Sequence, residues 1–469
     1  GMDCKQWNPQ SFEQVRIPKR PKWEGQNLSA EQLDRLEKDT FLDWRRELAK
    51  TEESGDRIIT PYEKNLNVWR QLWRVVERSD VVVQIVDARN PLLFRCEDLD
   101  NYVQEIASRQ KRTKKHILVI NKSDYLSDRA RQEWKRYFDS KGIPFVFWSA
   151  HKAEKQLEQQ AREAKKALNI NSNSDFLADL EGSEIAVNEP AETHSDCDLD
   201  RIAVTGSQER VLSRGEILEL FETLGNQAKD APKPKPKTES TTANTNASAS
   251  QGVTIGMIGY PNVGKSSTVN VLMGEKKVSV SATPGKTKHF QTLQVREGLV
   301  LCDCPGLVFP AFMKTKAALV ANGVYPIAQL REYSKAVDEV ISRITRGQIQ
   351  TIYRLTFPTY KPVTSQDLMN AHARMRGFMK DHGRPDDSRS ARIILSDFVN
   401  GKLLFCHPPP GLSSVDLRCF LISVQGSEAA PIVKKSVKPS VPRGIEVWGG
   451  VIREEKDTEG LEQQQQQQQ

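Results

Sequence analysis

Gly259-Tyr260-Pro261-Asn262-Val263-Gly264-Lys265-Ser266 reads G-x-x-x-x-G-K-S, the pattern of a phosphate-binding loop. An apolar run, Val253-Thr254-Ile255-Gly256-Met257-Ile258, leads into it, and Ser266-Ser267-Thr268-Val269-Asn270-Val271-Leu272-Met273 leaves it with helical character. Strand in and helix out is the setting such a loop requires. Its glycines let successive backbone N–H groups converge on phosphate oxygens at the positive end of a helix. Lys265 would then reach the β- and γ-phosphates of a nucleoside triphosphate, and the Ser266 hydroxyl would ligate Mg²⁺. Gly259, Tyr260, Pro261, Asn262, Val263, Gly264, Lys265, Ser266 and Ser267 are the expected nucleotide-contacting set. The expected class is α/β, with a P-loop domain.

Downstream, Ser279 to Thr287 is a polar loop in which Thr287 is the candidate to close over Mg²⁺ and the γ-phosphate, with Thr283 as competitor. The strand Gly298-Leu299-Val300-Leu301-Cys302 delivers Asp303-Cys304-Pro305-Gly306. Asp303 would hold Mg²⁺ through water, and the Gly306 N–H would sense the γ-phosphate. Lys265, Thr287, Asp303 and Gly306 form the expected catalytic set; Ser266, Thr287 and Asp303 are the expected Mg²⁺ ligands. Leu307 follows, a side chain that cannot hydrogen-bond an attacking water, so intrinsic hydrolysis should be slow.

Upstream, Val81-Val82-Val83-Gln84-Ile85-Val86 suits a buried parallel strand, stopped by Asn90-Pro91. A second apolar run, His116-Ile117-Leu118-Val119-Ile120, ends directly at Asn121-Lys122-Ser123-Asp124. Ligands of open parallel sheets bind outside the carboxyl ends of the strands. Ionised Asp124 offers two acceptors to the ring N–H and exocyclic amine of guanine. Adenine has no amine there and would leave a buried oxygen unpaired, a cost of about 1–3 kcal/mol. Asn121 would brace neighbouring loops, and the Lys122 stem would lie along the base. A third strand, Pro144 to Trp148, ends in Ser149-Ala150, whose backbone would meet the base's carbonyl oxygen. The base reader thus precedes the phosphate loop in the chain. Two separate nucleotide domains would each lack what the other supplies; one domain with circularly permuted order uses every motif once.

The remaining chain reads as surroundings for that domain. Residues 1–60 hold a basic arm, Arg16-Ile17-Pro18-Lys19-Arg20-Pro21-Lys22-Trp23, then a helix from Ser29. Pro18 and Pro21 forbid regular structure, leaving either an RNA-contacting arm or a solvated tail. A second basic tract spans Arg109 to Lys115. Residues 61–152 carry a helix from about Pro61 to Arg78 and the base-reading strands. Residues 153–251 are expected to be a largely disordered insertion with a helix at Ser213-Arg214-Gly215-Glu216, which has a capping-box pattern and a stop at Gly225, then a Pro/Lys and Ser/Thr/Asn linker over residues 229–250. Residues 252–325 hold the phosphate loop and switches, 326–410 a helical domain, and 411–469 an expected disordered tail ending in glutamines. The clearest late helix follows Pro385-Asp386, with Ala391, Ile394, Leu395, Phe398 and Val399 on one face and a stop at Gly401. A chain of 469 residues with net charge +7 fits several domains and a phosphate-rich partner. Its scattered cysteines, without a C-x-x-C pair, fit reduced thiols, and no run approaches the ~18 apolar residues of a membrane span. A soluble intracellular protein is expected.

These motifs together resemble one family, the circularly permuted GTPases of the YlqF type, and within it the eukaryotic cytoplasmic large-subunit GTPases of ribosome biogenesis. The likeness rests on Trp69-Arg70-Gln71-Leu72-Trp73-Arg74-Val75, Asp87-Ala88-Arg89-Asn90-Pro91, Arg95-Cys96, Asn121–Asp124 and Gly259–Ser267. It continues through Ala282–Thr292, Asp303–Leu307, Arg376-Gly377-Phe378 and His407-Pro408-Pro409. Residues 411–469 do not resemble the family's basic tail. The resemblance implies a GTPase acting in late cytoplasmic maturation of the large ribosomal subunit, contacting its precursor through rRNA and ribosomal proteins. It also implies release of a nuclear export adaptor, no membrane, and a monomer away from the ribosome, with shuttling through the nucleus allowed. Asn262 matches the asparagine of potassium-activated relatives, making it the candidate K⁺ ligand. The competing expectations are a nucleotide-gated scaffold in which hydrolysis is dispensable, and a nucleolar GTPase of the nucleostemin type.

Overall fold

A computed structural model describes residues 15–23, 26–53, 58–171, 209–230, 252–275, 277, 291–313, 315–358, 360–412, 416 and 420. Its centre is a six-stranded sheet ordered β4-β3-β2-β5-β7-β6. Here β2 is Val81–Asp87, β3 Lys115–Asn121, β4 Phe145–Phe147, β5 Val253–Gly259, β6 Gln291–Arg296 and β7 Leu299–Asp303. All neighbours run parallel except β6, which returns antiparallel along β7. Every residue of β2 is buried, as expected of a central strand covered on both faces.

Within the central sheet the two halves of the chain meet at one strand pair. β2 lies beside β5 in parallel register, from Val81 opposite Ile255 to Ile85 opposite Gly259. That register brings the carboxyl ends of β2, β3 and β5 to the same edge. The permuted single domain is therefore the arrangement adopted, and the two-domain alternative is excluded.

Helix α2 (Leu66–Arg78) starts at Asn65, whose side chain accepts from the Asn67 N–H, rather than at Pro61. It buries Trp69, Leu72, Trp73, Val75 and Val76, its spacing-of-three-and-four stripe. A fully buried tryptophan removes about 200 Å² from water, worth up to ~5 kcal/mol of transfer free energy. Trp69 packs edge-on against Trp44 of helix α1 (Ala30–Glu53) and against Phe309.

The basic arm is neither a tail nor free. Its proline-interrupted backbone turns carbonyls inward: Trp44 Nε1 donates to Arg16 O and Trp73 Nε1 to Pro18 O, each at 2.8 Å. Arg20 pairs with Glu37 and Glu77 at 2.8 Å, and Arg70 joins Glu37 at 2.7 Å, so the buried Glu37 carboxylate has two guanidinium partners. Lys19 pairs with Glu105, which also binds Arg109, both in helix α4 (Glu97–Gln110). Lys114 Nζ donates to the carbonyls of Glu77 and Ser79. Lys19, Arg20, Arg109 and Lys114, about half of the cations in the two basic tracts, are thus committed within the fold, the first three to acidic groups on α1, α2 and α4. Arg16, Lys22, Lys111 and Arg112 stay exposed.

The short helix α3 (Pro91–Phe94) precedes α4, α5 (Asp128–Ser140) follows β3, and α6 (Ala150–Asn171) follows β4. The insertion helix α7 (Arg214–Asp230) runs past Gly225, the expected stop. A Cβ at that position would collide with Val253 Cγ1, so glycine serves close helix–strand packing rather than termination. The capping box is present, with Glu216 Oε2 accepting from the Ser213 N–H at 2.7 Å. Arg214 donates to the Val271 and Leu272 carbonyls, satisfying the end of α8 (Lys265–Met273).

After the phosphate-loop half, the chain from Leu307 is held by residues 58–63. β1 (Ile58–Ile59) pairs antiparallel with β8 (Phe312–Met313), and the Thr60 hydroxyl donates to Phe309 O. Helices α9 (Lys316–Ala321), α10 (Ser334–Arg343), α11 (Arg346–Tyr353), α12 (Ser365–Arg376) and α13 (Asp387–Val399) then build a second core. Ala391, Ile394, Leu395 and Phe398 enter it while Arg389 and Arg392 face solvent. Beyond α13 the chain is extended, and its side chains alternate between the two cores. Leu403 and Phe405 join the helical one, Leu404 and Cys406 the one around the sheet. Helix α7 takes in residues 229 and 230, expected to begin the linker; the rest of that linker, the loop bearing Thr283 and Thr287, and the glutamine tail lie outside the described residues. Among the described residues, no helix is long and apolar enough to cross a membrane.

Candidate active site

β3 ends at Asn121 and β5 at Gly259, on either side of β2. Hydrogen bonds join their loops to one another and to the start of the helix after β4. Asn121 Nδ2 donates to Val263 O at 2.8 Å, across 142 residues of chain, and Asn121 Oδ1 accepts from the Ala150 N–H at 3.1 Å. Lys122 Nζ donates to Asn262 O at 2.9 Å. Gly264, at φ 95°, lets the loop pass against Asn121, where a Cβ would strike its amide nitrogen. The brace expected of Asn121 is what the side chain makes.

Within the base-reading loop, the Ser149 hydroxyl donates to Asp124 Oδ1 at 2.6 Å and fixes the carboxylate's orientation. Ser123 is fully buried, its hydroxyl committed to Ile120 O, so its side chain supports the loop and does not face a ligand. Within the phosphate loop, the Tyr260 side chain is likewise turned inward. Its ring is buried against Phe94 and Phe309, with its hydroxyl donating to Phe309 O. Val263, Cys304 and Pro305 are likewise buried, leaving only their backbones for a nucleotide. Pro261, Ser266, Ser267 and Gly306 are partly accessible, and Asn262 is exposed at φ 62°.

Lys265 is 6% exposed, and its ammonium donates to the carbonyls of Gly259 and Tyr260 at 2.8 Å each. Burial pushes it down to about 8 against the opposing charge of Asp303. Asp303 is buried, and both its carboxylate oxygens lack a hydrogen-bond partner. Burial pushes it up to about 6, with Lys265 opposing. A buried carboxylate without partners is costly unless something else neutralises it. A hard divalent cation ligated by oxygen fits that demand, so Asp303 and the Ser266 hydroxyl at the start of α8 could hold Mg²⁺. Among the described residues no group of three or more His, Cys, Asp and Glu forms a self-sufficient metal centre. Such an ion would depend on nucleotide phosphates for ligands. Leu307 is fully buried, its N–H donating to Gly259 O, and offers no polar atom to a water.

A further group emerges at the same edge. Asp87, the last residue of β2, is 2% exposed and binds both Arg89 (2.7 Å) and Lys122 (2.8 Å). Burial alone would raise its pKa, but the two cations outweigh that and hold the carboxyl well below its usual range. The signal was present in the sequence, because an aspartate closing an otherwise apolar buried strand must have partners.

A phosphate loop and a guanine-type base reader closed on one another across a parallel sheet define a GTPase, here with its two halves in permuted chain order. A family model described as "50S ribosome-binding GTPase" matches residues 254–355. The Large subunit GTPase 1 homolog of Rattus norvegicus is 41% identical over 466 residues, covering 85% of this chain and 67% of its own. That of Danio rerio is 41% identical over 488 residues, covering 92% and 72%. The chain belongs to the Large subunit GTPase 1 family. A GDP-bound YlqF structure aligns over 73% of this chain and 100% of its own, at 16% identity and a TM-score of 0.39, too loose to carry an argument.

Proposed function

We propose that this GTPase binds a precursor of the large ribosomal subunit late in its cytoplasmic maturation, and that its nucleotide state governs its own release and that of a nuclear export adaptor. The observation that carries the reading is the Asn121–Val263 bond, which makes base recognition and phosphate binding one event. Asp124 reads the guanine ring N–H and amine, with Lys122 along the base and Ser149 orienting the carboxylate. The backbone of residues 262–266 cradles the phosphates, and Lys265 leaves the Gly259 and Tyr260 carbonyls for the β- and γ-oxygens. Ser266 and Asp303, with Thr287 from the loop beyond the described residues, would hold Mg²⁺, which would supply charge neutralisation at those oxygens. Gly306 donates its N–H to the γ-phosphate, and the segment clamped by residues 58–63 passes that contact to the helical domain.

The relatives' names and the matched family's description support a ribosomal particle as partner. Co-sedimentation with large-subunit precursors tests it: a non-hydrolysable GTP analogue should retain the chain on the particle, and GDP should release it. Equal retention would defeat the switch.

Leu307 favours hydrolysis that is slow alone and completed by an added group, typically worth about 10³–10⁵ in rate. We assign that group to K⁺ at Asn262, an exposed residue of the loop with left-handed backbone at φ 62°. Turnover should be clearly faster in KCl than in NaCl, and equal rates would remove potassium from the mechanism. Leu307 also favours the scaffold reading, in which hydrolysis is dispensable. A Thr287→Ala chain that binds GTP without cleaving it separates the two: completed maturation would favour the scaffold.

A further inference from the structure

We propose that Arg89 is a positioning residue that couples a guanine base in the Asn121–Asp124 loop to the seating of the helical domain, independently of the γ-phosphate. Its guanidinium serves two elements at once. Nε and Nη2 donate to Asp87 at 3.0 and 2.7 Å, and Asp87 Oδ2 also accepts from Lys122 Nζ. Nη1 donates to the carbonyls of Phe398 and Val399 at 3.2 and 2.7 Å, the negative end of α13. One planar fork therefore spans the base-reading lysine and the last turn of a helix more than 300 residues later, where the separation is 309.

The same junction is fastened around that fork. Arg89 O accepts from the His407 N–H at 2.7 Å. Tyr125, immediately after Asp124, lies 5.8 Å from the Arg89 guanidinium, donates its hydroxyl to Asn400 O at 3.5 Å and accepts at its carbonyl from the Cys406 thiol. Asp303 and Gly306 take no part in this path. Both cations converge on Asp87 Oδ2, while Oδ1 serves Arg89 alone, in a buried setting where such groups respond to one another rather than adding independently. A base settling on the Lys122 stem fixes one claim on Asp87 and so fixes the other. Reciprocity then requires that a seated helical domain raise the affinity for guanine nucleotides by the same factor.

The inference rests on Asn121–Asp124 reading the base, and hydrogen exchange of the full chain tests it. The amides of Asn400, Gly401, Lys402 and Leu403 bond to carbonyls of α13 and report its last turn. GDP, which lacks the γ-phosphate, should slow their exchange by about fivefold or more. Arg89→Met and Arg89→Lys should abolish that slowing at saturating GDP. Lysine keeps a cation against the buried Asp87, guarding the fold, but one ammonium cannot span a carboxylate and two helix carbonyls. A merely structural Arg89 would shift exchange equally with and without GDP. Full GDP-dependent slowing in Arg89→Lys, or none in the unsubstituted chain that binds GDP, overturns the inference alone. Failure of the unsubstituted chain to bind GDP overturns the base-reading assignment and the coupling together.

Discussion

Lys265→Ala should lower single-turnover GTP hydrolysis by about 10²–10³-fold, the loss expected when one preorganised donor to a developing charge is removed. The ammonium is buried at the foot of the loop, held by the Gly259 and Tyr260 carbonyls, and exchanges those two neutral acceptors for phosphate oxygens when the nucleotide arrives. Its charge is also expensive where it stands: burial brings it down to about 8 with a single carboxylate, Asp303, facing it. A triphosphate supplies the missing negative charge, which is why the effect should concentrate on the nucleotide rather than on the fold. Rapid-quench measurement at saturating GTP checks this. A rate within threefold of the unsubstituted chain would remove Lys265 from the chemistry.

Asp124→Asn should weaken GTP binding by about 10²–10³-fold while improving binding of xanthosine triphosphate. Hydrogen bonds to charged groups contribute about 1.5–3 kcal/mol each, and guanine presents two donors to this carboxylate. Asparagine keeps one acceptor but turns a donor toward the exocyclic amine, where xanthine instead has a carbonyl. The Ser149 hydroxyl at 2.6 Å holds the side chain in place, so the substitution changes chemistry more than geometry. Calorimetric titration with both nucleotides decides it. An unchanged preference would mean that Asp124 does not read the base.

The strands carrying β2, β3, β5 and β7 were legible because buried parallel strands are continuous apolar runs. The loops were legible because phosphate and guanine each demand particular residue types at particular spacings. β6 was not. Gln291–Arg296 is largely exposed at the sheet edge, so its residues carry little apolar signal. Gly225 looked like a helix stop because nothing local announces that Val253 will press against it. Similarly, the charge of Arg16–Lys22 pointed outward to a nucleic acid, whereas its partners Glu37, Glu77 and Glu105 lie on helices distant in the chain.

The amino-acid order by itself determined which elements form and what each loop can bind, since hydrophobic periodicity and ligand chemistry are written in neighbouring residues. Only the tertiary structure decided that β2 would lie beside β5, which turns two separated motifs into one pocket. It also decided which acids and helix ends the buried cations would find. A buried charge requires a partner, and the chain states that requirement without naming the distant residue that meets it.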